Sequence, residues 1–338
     1  MFGLRIQNNL SNHWLFSTAC AGAIAFAAVS GSVGAAVAAD EVIVGLVTKT
    51  EVNPFFVKMR QAAEARAGEK GVKLIARAGK FDGDNEGQVA AIEDLISAGA
   101  KGILVTPNNS TGMLGVIKKA REAGVLVIAL DTATDPEDAV DATFATDNFE
   151  AGVQQGAYAR KAMGDKKAVV AMLDGTPGGT VDTFRHDGYL KGFGIAEGDP
   201  AIAGSAITNG AQDKGQIGME NLLSKNGEIN AVYTINEPAA AGAYAALRSF
   251  GKDDVMLTSI DGGCAGVRDV KDGKIAATVM QFPAKMAAMG IDAVVEYAAS
   301  GKKPSGFVNT GSFLITDKPV DGLESKDTTW GLENCWGD

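Results

Sequence analysis

Val42-Ile43-Val44-Gly45-Leu46-Val47-Thr48 is a short β-branched run, closed by Lys49-Thr50-Glu51-Val52-Asn53 and followed at once by Pro54-Phe55-Phe56 and an amphipathic run to Glu69. Asn53 before Pro54 marks a helix start: the amide caps free N–H groups, and proline sits where its missing donor costs nothing. A strand, a polar turn and a helix make one βα unit. The pattern repeats outward. Further strands are expected at 72–78, 102–107, 125–131, 167–174, 201–208, 230–235, 255–261 and 274–282. Helical runs include 54–69, 88–98, 113–123, 149–163, 214–223, 239–249 and 284–299. Such alternation predicts an α/β fold with parallel sheets flanked by helices. Asp131, Asp174, Asn236, Asp261 and Gln281 stand at strand ends, and ligands of open parallel sheets collect at the carboxyl ends of strands.

One series of βα units ends near Asp147 and a second runs from there to about Gln281, which agrees with the two domains expected for 338 residues at about 150 per domain. No Pro/Gly/Ser-rich linker separates them, so the crossings should be short, as a bending hinge requires. The formal net charge of -10, with 46% hydrophobic and 21% charged residues, excludes a disordered or multi-spanning membrane chain and argues against nucleic acid as a partner. Arg5 is the only charged residue before Asp40; an apolar run from Ala21 to Val29 and the small residues Ala36 to Ala39 follow it. That order predicts a cleaved export signal over residues 1–39, with an uncleaved anchor or lipid attachment at Cys20 as the alternatives.

Beyond residue 39 stand two cysteines, Cys264 and Cys335, and one histidine, His186. An even cysteine count in an exported chain favours one disulfide over two separate thiols, and the donor set is too small for a metal site. Asp82-Gly83-Asp84-Asn85-Glu86-Gly87 with Glu93 comes near a calcium-loop spacing. Glu86 breaks it, and a strand precedes it where a helix is needed, so the segment reads as an acidic helix start. Gly175-Thr176-Pro177-Gly178-Gly179 does not match a dinucleotide fingerprint, there is no phosphate-binding P-loop, and any Ser or Cys nucleophile would depend on His186.

Asn53-Pro54-Phe55-Phe56, Ala129-Leu130-Asp131, Ala145-Thr146-Asp147-Asn148, Arg185-His186-Asp187-Gly188-Tyr189, Thr234-Ile235-Asn236-Glu237, Ser259-Ile260-Asp261-Gly262-Gly263 and Thr278-Val279-Met280-Gln281 stand in one order along the chain. The ordered series resembles the ribose-type periplasmic sugar-binding proteins of ABC transporters. Thr48-Lys49-Thr50 and the tail Trp330-Gly331-Leu332-Glu333-Asn334-Cys335-Trp336-Gly337 are most similar to the fructose-binding members. The resemblance implies a type I periplasmic-binding-protein fold of two hinged domains, 40–146 with 282–309 and 147–281 with 310–338. It implies no enzyme activity and no cofactor. A monosaccharide would be held in the cleft, and the closed form would be read in the periplasm by the transporter's membrane permease and, as a further partner, by a chemoreceptor.

By the same resemblance, Phe55 and Phe56 pack on the sugar and Asn53 and Asp131 bind its hydroxyls from one domain, while Arg185, Asn236, Asp261 and Gln281 close from the other. Amides, carboxylates and a guanidinium each engage adjacent hydroxyls in fixed geometry. Bland alternatives stand beside these roles: Phe55 and Phe56 as core staples, Asp131 and Asp261 as caps, Gln281 as a surface hinge residue and Lys49 as a solvated loop lysine. The chain departs from the ribose pattern at Asp131-Thr132, where ribose binders have Asp-Arg, and at Lys49, where they have a small hydroxyl residue. One cation is lost and another gained, expected on the opposite wall. Ile260 stands where ribose binders carry Phe, which predicts thinner aromatic cover and a sugar other than ribose. The competing readings are a polyol or quorum-signal receptor and, from another class, a carbohydrate-metabolising enzyme. A sugar-sensing DNA-binding regulator is excluded by the lack of a basic helix-turn-helix head.

Overall fold

The computed structural model describes residues 41–337, so the expected export signal lies outside the described residues. In chain order the elements are β1 (Ile43–Thr48), α1 (Pro54–Lys70), β2 (Lys73–Ala78), α2 (Asn85–Ser97), β3 (Gly102–Val105), α3 (Leu114–Glu122), β4 (Leu126–Leu130) and β5 (Ala142–Ala145). Next come α4 (Asn148–Met163), β6 (Val170–Asp174), α5 (Thr180–Phe193), β7 (Ile202–Ile207), α6 (Gln212–Lys225), β8 (Ala231–Thr234), α7 (Glu237–Ser249), β9 (Met256–Asp261), α8 (Cys264–Lys271) and β10 (Ala277–Met280). The chain ends with α9 (Pro283–Ser300), β11 (Gly306–Asn309), β12 (Phe313–Ile315) and α10 (Thr328–Asn334).

The strands form two six-stranded sheets. The first has the order β11-β5-β4-β3-β1-β2 and is parallel throughout. The second has the order β12-β10-β9-β8-β6-β7, parallel except where β12 runs against β10. Both central sheets are buried on two faces, which is why their strands read as continuous apolar runs. In the first, Val44, Leu46, Leu104 and Ile128 face Met59 of α1 and Met286 and Ile291 of α9, while Val47, Ile103, Val105 and Val127 face Ile92, Leu95 and Ile117 of α2 and α3. In the second, Ala171, Leu173 and Val232 pack on α6 and α7, and Met172, Ala231 and Tyr233 pack on α4 and α5.

The order of each sheet reverses once, between β1 and β3 and between β6 and β8, which opens a crevice at the carboxyl ends of those strands. The chain passes between the sheets three times, after β5, after β10 and after β11. At these crossings Thr146 Oγ1 donates to Gln281 Oε1 at 3.1 Å and Thr310 N–H donates to the Ala145 carbonyl at 2.8 Å. Helices α4 and α5 meet at backbone contact: a Cβ on Gly152 would lie 2.4 Å from the Arg185 carbonyl oxygen, and one on Gly188 2.2 Å from that of Phe149. Only glycine permits this approach, and it brings Arg185 against Asn148 at the start of α4.

Candidate functional site

All nine side chains singled out from the sequence, Lys49, Asn53, Phe55, Phe56, Asp131, Arg185, Asn236, Asp261 and Gln281, line one cavity between the two sheets. The first sheet supplies one wall. Asn53 caps α1 by accepting the Phe55 N–H at 3.0 Å, which leaves its amide nitrogen for the cavity. Phe55 and Phe56 meet edge to face at 5.4 Å, and both belong to the first sheet's apolar core while lining the cavity. Staple and wall are therefore one role. Asp131 follows β4 with φ of 64°, a left-handed conformation that Asp tolerates better than most residues. Its N–H donates to the Phe144 carbonyl, and its Oδ2 accepts the Thr132 hydroxyl at 2.8 Å. Lys49 is 6% exposed, so it is not a solvated loop lysine. It follows β1 and shares the wall of Asp131, because both strands belong to the first sheet; the expected placement on the opposite wall does not hold.

The second wall is a hydrogen-bonded network. Arg185 donates from Nε to Asn148 Oδ1 at 2.8 Å and from Nη1 to the Ile235 carbonyl at 2.9 Å. Its carboxylate neighbours stand farther off, Asp131 at 4.0 Å and Asp261 at 3.9 Å. The guanidinium is thus oriented by neutral acceptors and sits between two carboxylates without closing on either. Asp261 Oδ1 accepts Gln281 Nε2 at 2.8 Å. Gln281 is 1% exposed and no surface residue. Asn236 caps α7 through the Ala239 N–H and donates to the Gly210 carbonyl, so much of its amide is committed to the fold. Glu237 takes the N–H groups of Gly262 and Gly263 and the Thr278 hydroxyl, which pins the turn after Asp261. Burial pushes the Asp261 carboxyl up to about 6, against the pull of Arg185 and Gln281, and pushes Glu237 up to about 8.

Contacts tie the walls together at the rim. Thr176 Oγ1 donates to Asp82 Oδ1 at 2.7 Å, Ser110 N–H to the Gly178 carbonyl at 2.9 Å and Thr180 Oγ1 to the Ala133 carbonyl at 2.8 Å. The calcium-like run divides between two structural tasks: Asp84 caps α2 through the Gly87 N–H, and Asp82 makes the rim contact. A Cys264–Cys335 disulfide ties the tail to α8, with Cα atoms 4.9 Å apart. The next residue, Trp336, reaches the other lobe. Its ring lies edge to face with Phe55 at 5.6 Å, and its Nε1 donates to the Gln281 carbonyl at 2.8 Å.

Residues 44–303 match the family model of the periplasmic binding protein domain. The chain belongs to this family. It is 32% identical to a ribose import binding protein of Salmonella typhimurium over 82% of this chain and 90% of that protein. It is 29% identical to the D-allose-binding periplasmic protein of Escherichia coli, over 80% of this chain and 91% of that one. A crystal structure of an ABC transporter periplasmic solute-binding protein from Actinobacillus succinogenes with bound D-allose superposes with a TM-score of 0.74 at 28% identity, covering 82% of this chain and 98% of that chain.

For a periplasmic binding protein the cavity also holds residues that sequence reasoning missed, among them Asp82, Thr176 and Asp182. Asp182 had a signal: it precedes Arg185 by three residues in α5, and side chains three apart share a helix face. Ile260 corrects an expectation. It packs with Ala151, Tyr158 and Val279 behind the sheet while its neighbour Asp261 faces the cavity, because successive strand residues point to opposite faces. Its replacement of an aromatic residue therefore says nothing about cover over the ligand. His186 lies between Asp174 at 2.7 Å and Glu197 at 2.9 Å, and the Asp174 contact holds it up to about 9.

Proposed function

We propose that this protein is a non-catalytic periplasmic receptor that captures a monosaccharide between its two lobes and delivers it to the permease of an ABC importer. The observation that carries this reading is the convergence of aromatic rings, carboxylates, amides and a guanidinium from both sheets on one cavity at the carboxyl ends of the strands. Rings offer a face to sugar C–H groups, and the polar set satisfies hydroxyls that would otherwise be buried unpaired. The lobes are taken as residues 40–146 with 282–309 and 147–281 with 310–338, bending at the three crossings. Sugar stabilises the closed form because only that form touches it from both walls. An enzyme reading has little chemical support: a histidine held charged between two carboxylates is no general base at neutral pH.

The names of the relatives favour ribose- and allose-type sugars, while Thr48-Lys49-Thr50 and the tail favour a fructose-like ligand, which we take as the first choice. A thermal-shift panel of fructose, ribose, allose, other hexoses and pentoses, and polyols tests the reading. A ligand bound only by the native state raises the melting temperature, by about 2.7 kcal/mol of added stability at a hundredfold excess over Kd. A shift with one or two sugars recovered chemically unchanged is expected; no shift with any sugar would sink the proposal.

A further inference from the structure

Lys49 is nine-tenths buried at the cavity and has neither a hydrogen-bond partner nor an ion pair among the described residues. The stem is packed away while the ammonium opens on the cavity, where no protein group completes its shell. Its Nζ points toward the second lobe, 3.9 Å from where a Cβ on Gly179 would stand. Asp182, in the first turn of α5, faces the same space. Its Oδ1 accepts the Gly175 N–H at 2.6 Å, and Oδ2 has no partner among the described residues. Burial raises the Asp182 carboxyl, and Lys49 is among the charges that oppose the rise, so the two groups feel each other across the cavity. They nevertheless do not close into an ion pair. A donor and an acceptor held apart, each open to the cavity and free of protein partners among the described residues, leave a place for one group that can both accept and donate.

A hydroxyl does both. A carboxylate or phosphate would satisfy Lys49 but stand against Asp182 in a cavity lined by Asp82, Asp131, Asp182 and Asp261, with Lys49 and Arg185 as its cations among the described residues. An amine would satisfy Asp182 but meet Lys49. We propose that Lys49 and Asp182 clasp a single hydroxyl of the ligand from opposite lobes, making that hydroxyl a selected feature and the cavity selective for neutral sugars over sugar acids and sugar phosphates. The inference rests on the sugar-receptor reading and adds Asp182 to it as a specificity residue.

Calorimetry with the sugar that gives the largest thermal shift, its monodeoxy analogues and its phosphate ester tests the clasp in three proteins: the unaltered chain, Lys49→Met and Asp182→Asn. Asparagine keeps the acceptor for Gly175, and methionine keeps the buried stem of Lys49, so melting curves should confirm folding. In the unaltered chain, one deoxy analogue should bind at least tenfold more weakly than the parent, and the phosphate ester should not bind. Each variant should lose at least tenfold for the parent sugar yet bind that deoxy analogue within about threefold of the unaltered chain, because the lost contact no longer exists to be missed. Equal losses for every analogue, or unchanged affinity for the parent, would overturn the clasp while leaving the receptor reading intact. No sugar binding by the unaltered chain would overturn both.

Discussion

The two walls of the cavity obtain their shape in different ways. On the first, Phe55 and Phe56 are positioned by core packing, Asn53 by its own cap and Lys49 by burial alone. On the second, Arg185, Asn236, Asp261 and Gln281 are each held by at least one hydrogen bond to another protein group. The rings of the first wall tolerate small rotations because their contacts with a ligand are non-directional. A network of charged and amide groups does not, since its value lies in donors and acceptors fixed before the ligand arrives. Substitutions in the network of the second wall should therefore cost more binding than substitutions of the rings on the first, even where the rings cost as much stability.

The largest effect is expected from Arg185→Met. It removes the cation between Asp131 and Asp261, both nearly wholly buried, and leaves the Asn148 and Ile235 acceptors unpaired. Breaking a buried charged arrangement from one side costs about 3 kcal/mol or more. Sugar affinity should fall more than a hundredfold by calorimetry, and the melting temperature should drop. Binding within tenfold of the unaltered chain would mean that the second wall is not organised by its guanidinium. A smaller effect is expected from Phe56→Leu on the first wall: about tenfold weaker binding, or roughly 1.4 kcal/mol, as a ring face becomes a branched chain. If this change matched Arg185→Met in affinity lost, the contrast between the walls would collapse.

Much of this architecture is legible in the chain itself because β-branched runs buried on two faces and caps such as Asn53-Pro54 are local signals. The short strands β5, β11 and β12 are not. Each has at most four residues, and β11 and β12 owe their state to the edge of a sheet whose other strands are far away in sequence. The site follows the same division. Asp131, Asn236, Asp261 and Gln281 stand at strand ends, where parallel sheets present their ligands, so position marks them, whereas Asp174 at the end of β6 turns to His186 and stays out of the cavity lining. Asp82 and Asp182 enter the cavity only because two lobes face each other. Ile260 and Lys49 show the converse: which face Ile260 takes depends on the alternation along β9, and which wall Lys49 takes depends on β1 and β4 sharing one sheet, and neither is a local signal. Trp336 is a third case. The disulfide ties the tail to α8 beside the second sheet, but the ring one residue later packs on Phe55 of the first lobe.

The smallest predicted effect separates the lobes by pH. In the second lobe the shifts run upward: hydrogen bonding to Asp174 raises His186 to about 9, and burial raises Glu237 to about 8 and Asp261 to about 6. A group whose folded-state pKa is raised stabilises the fold fully below its ordinary value and loses that contribution as pH climbs through the folded one. In the first lobe two carboxyls run the other way. Backbone N–H groups of Lys80 and Gly87 lower Asp84, and ion pairs with Arg66 and Lys70 lower Asp292 despite its partial burial. Their contribution is present above the usual carboxylate range and lost as pH falls through the folded value. Acid should therefore loosen the first lobe and alkali the second. The melting temperature of the sugar-free protein should fall by roughly 5 °C from about pH 5.5 to about pH 9, a modest figure because His186 is part-exposed and screened by solvent. His186→Gln should flatten the upper part of that decline and leave the acid side unchanged. A melting temperature that rises toward pH 9 would show that the buried carboxyls of the second lobe are not held back from ionising.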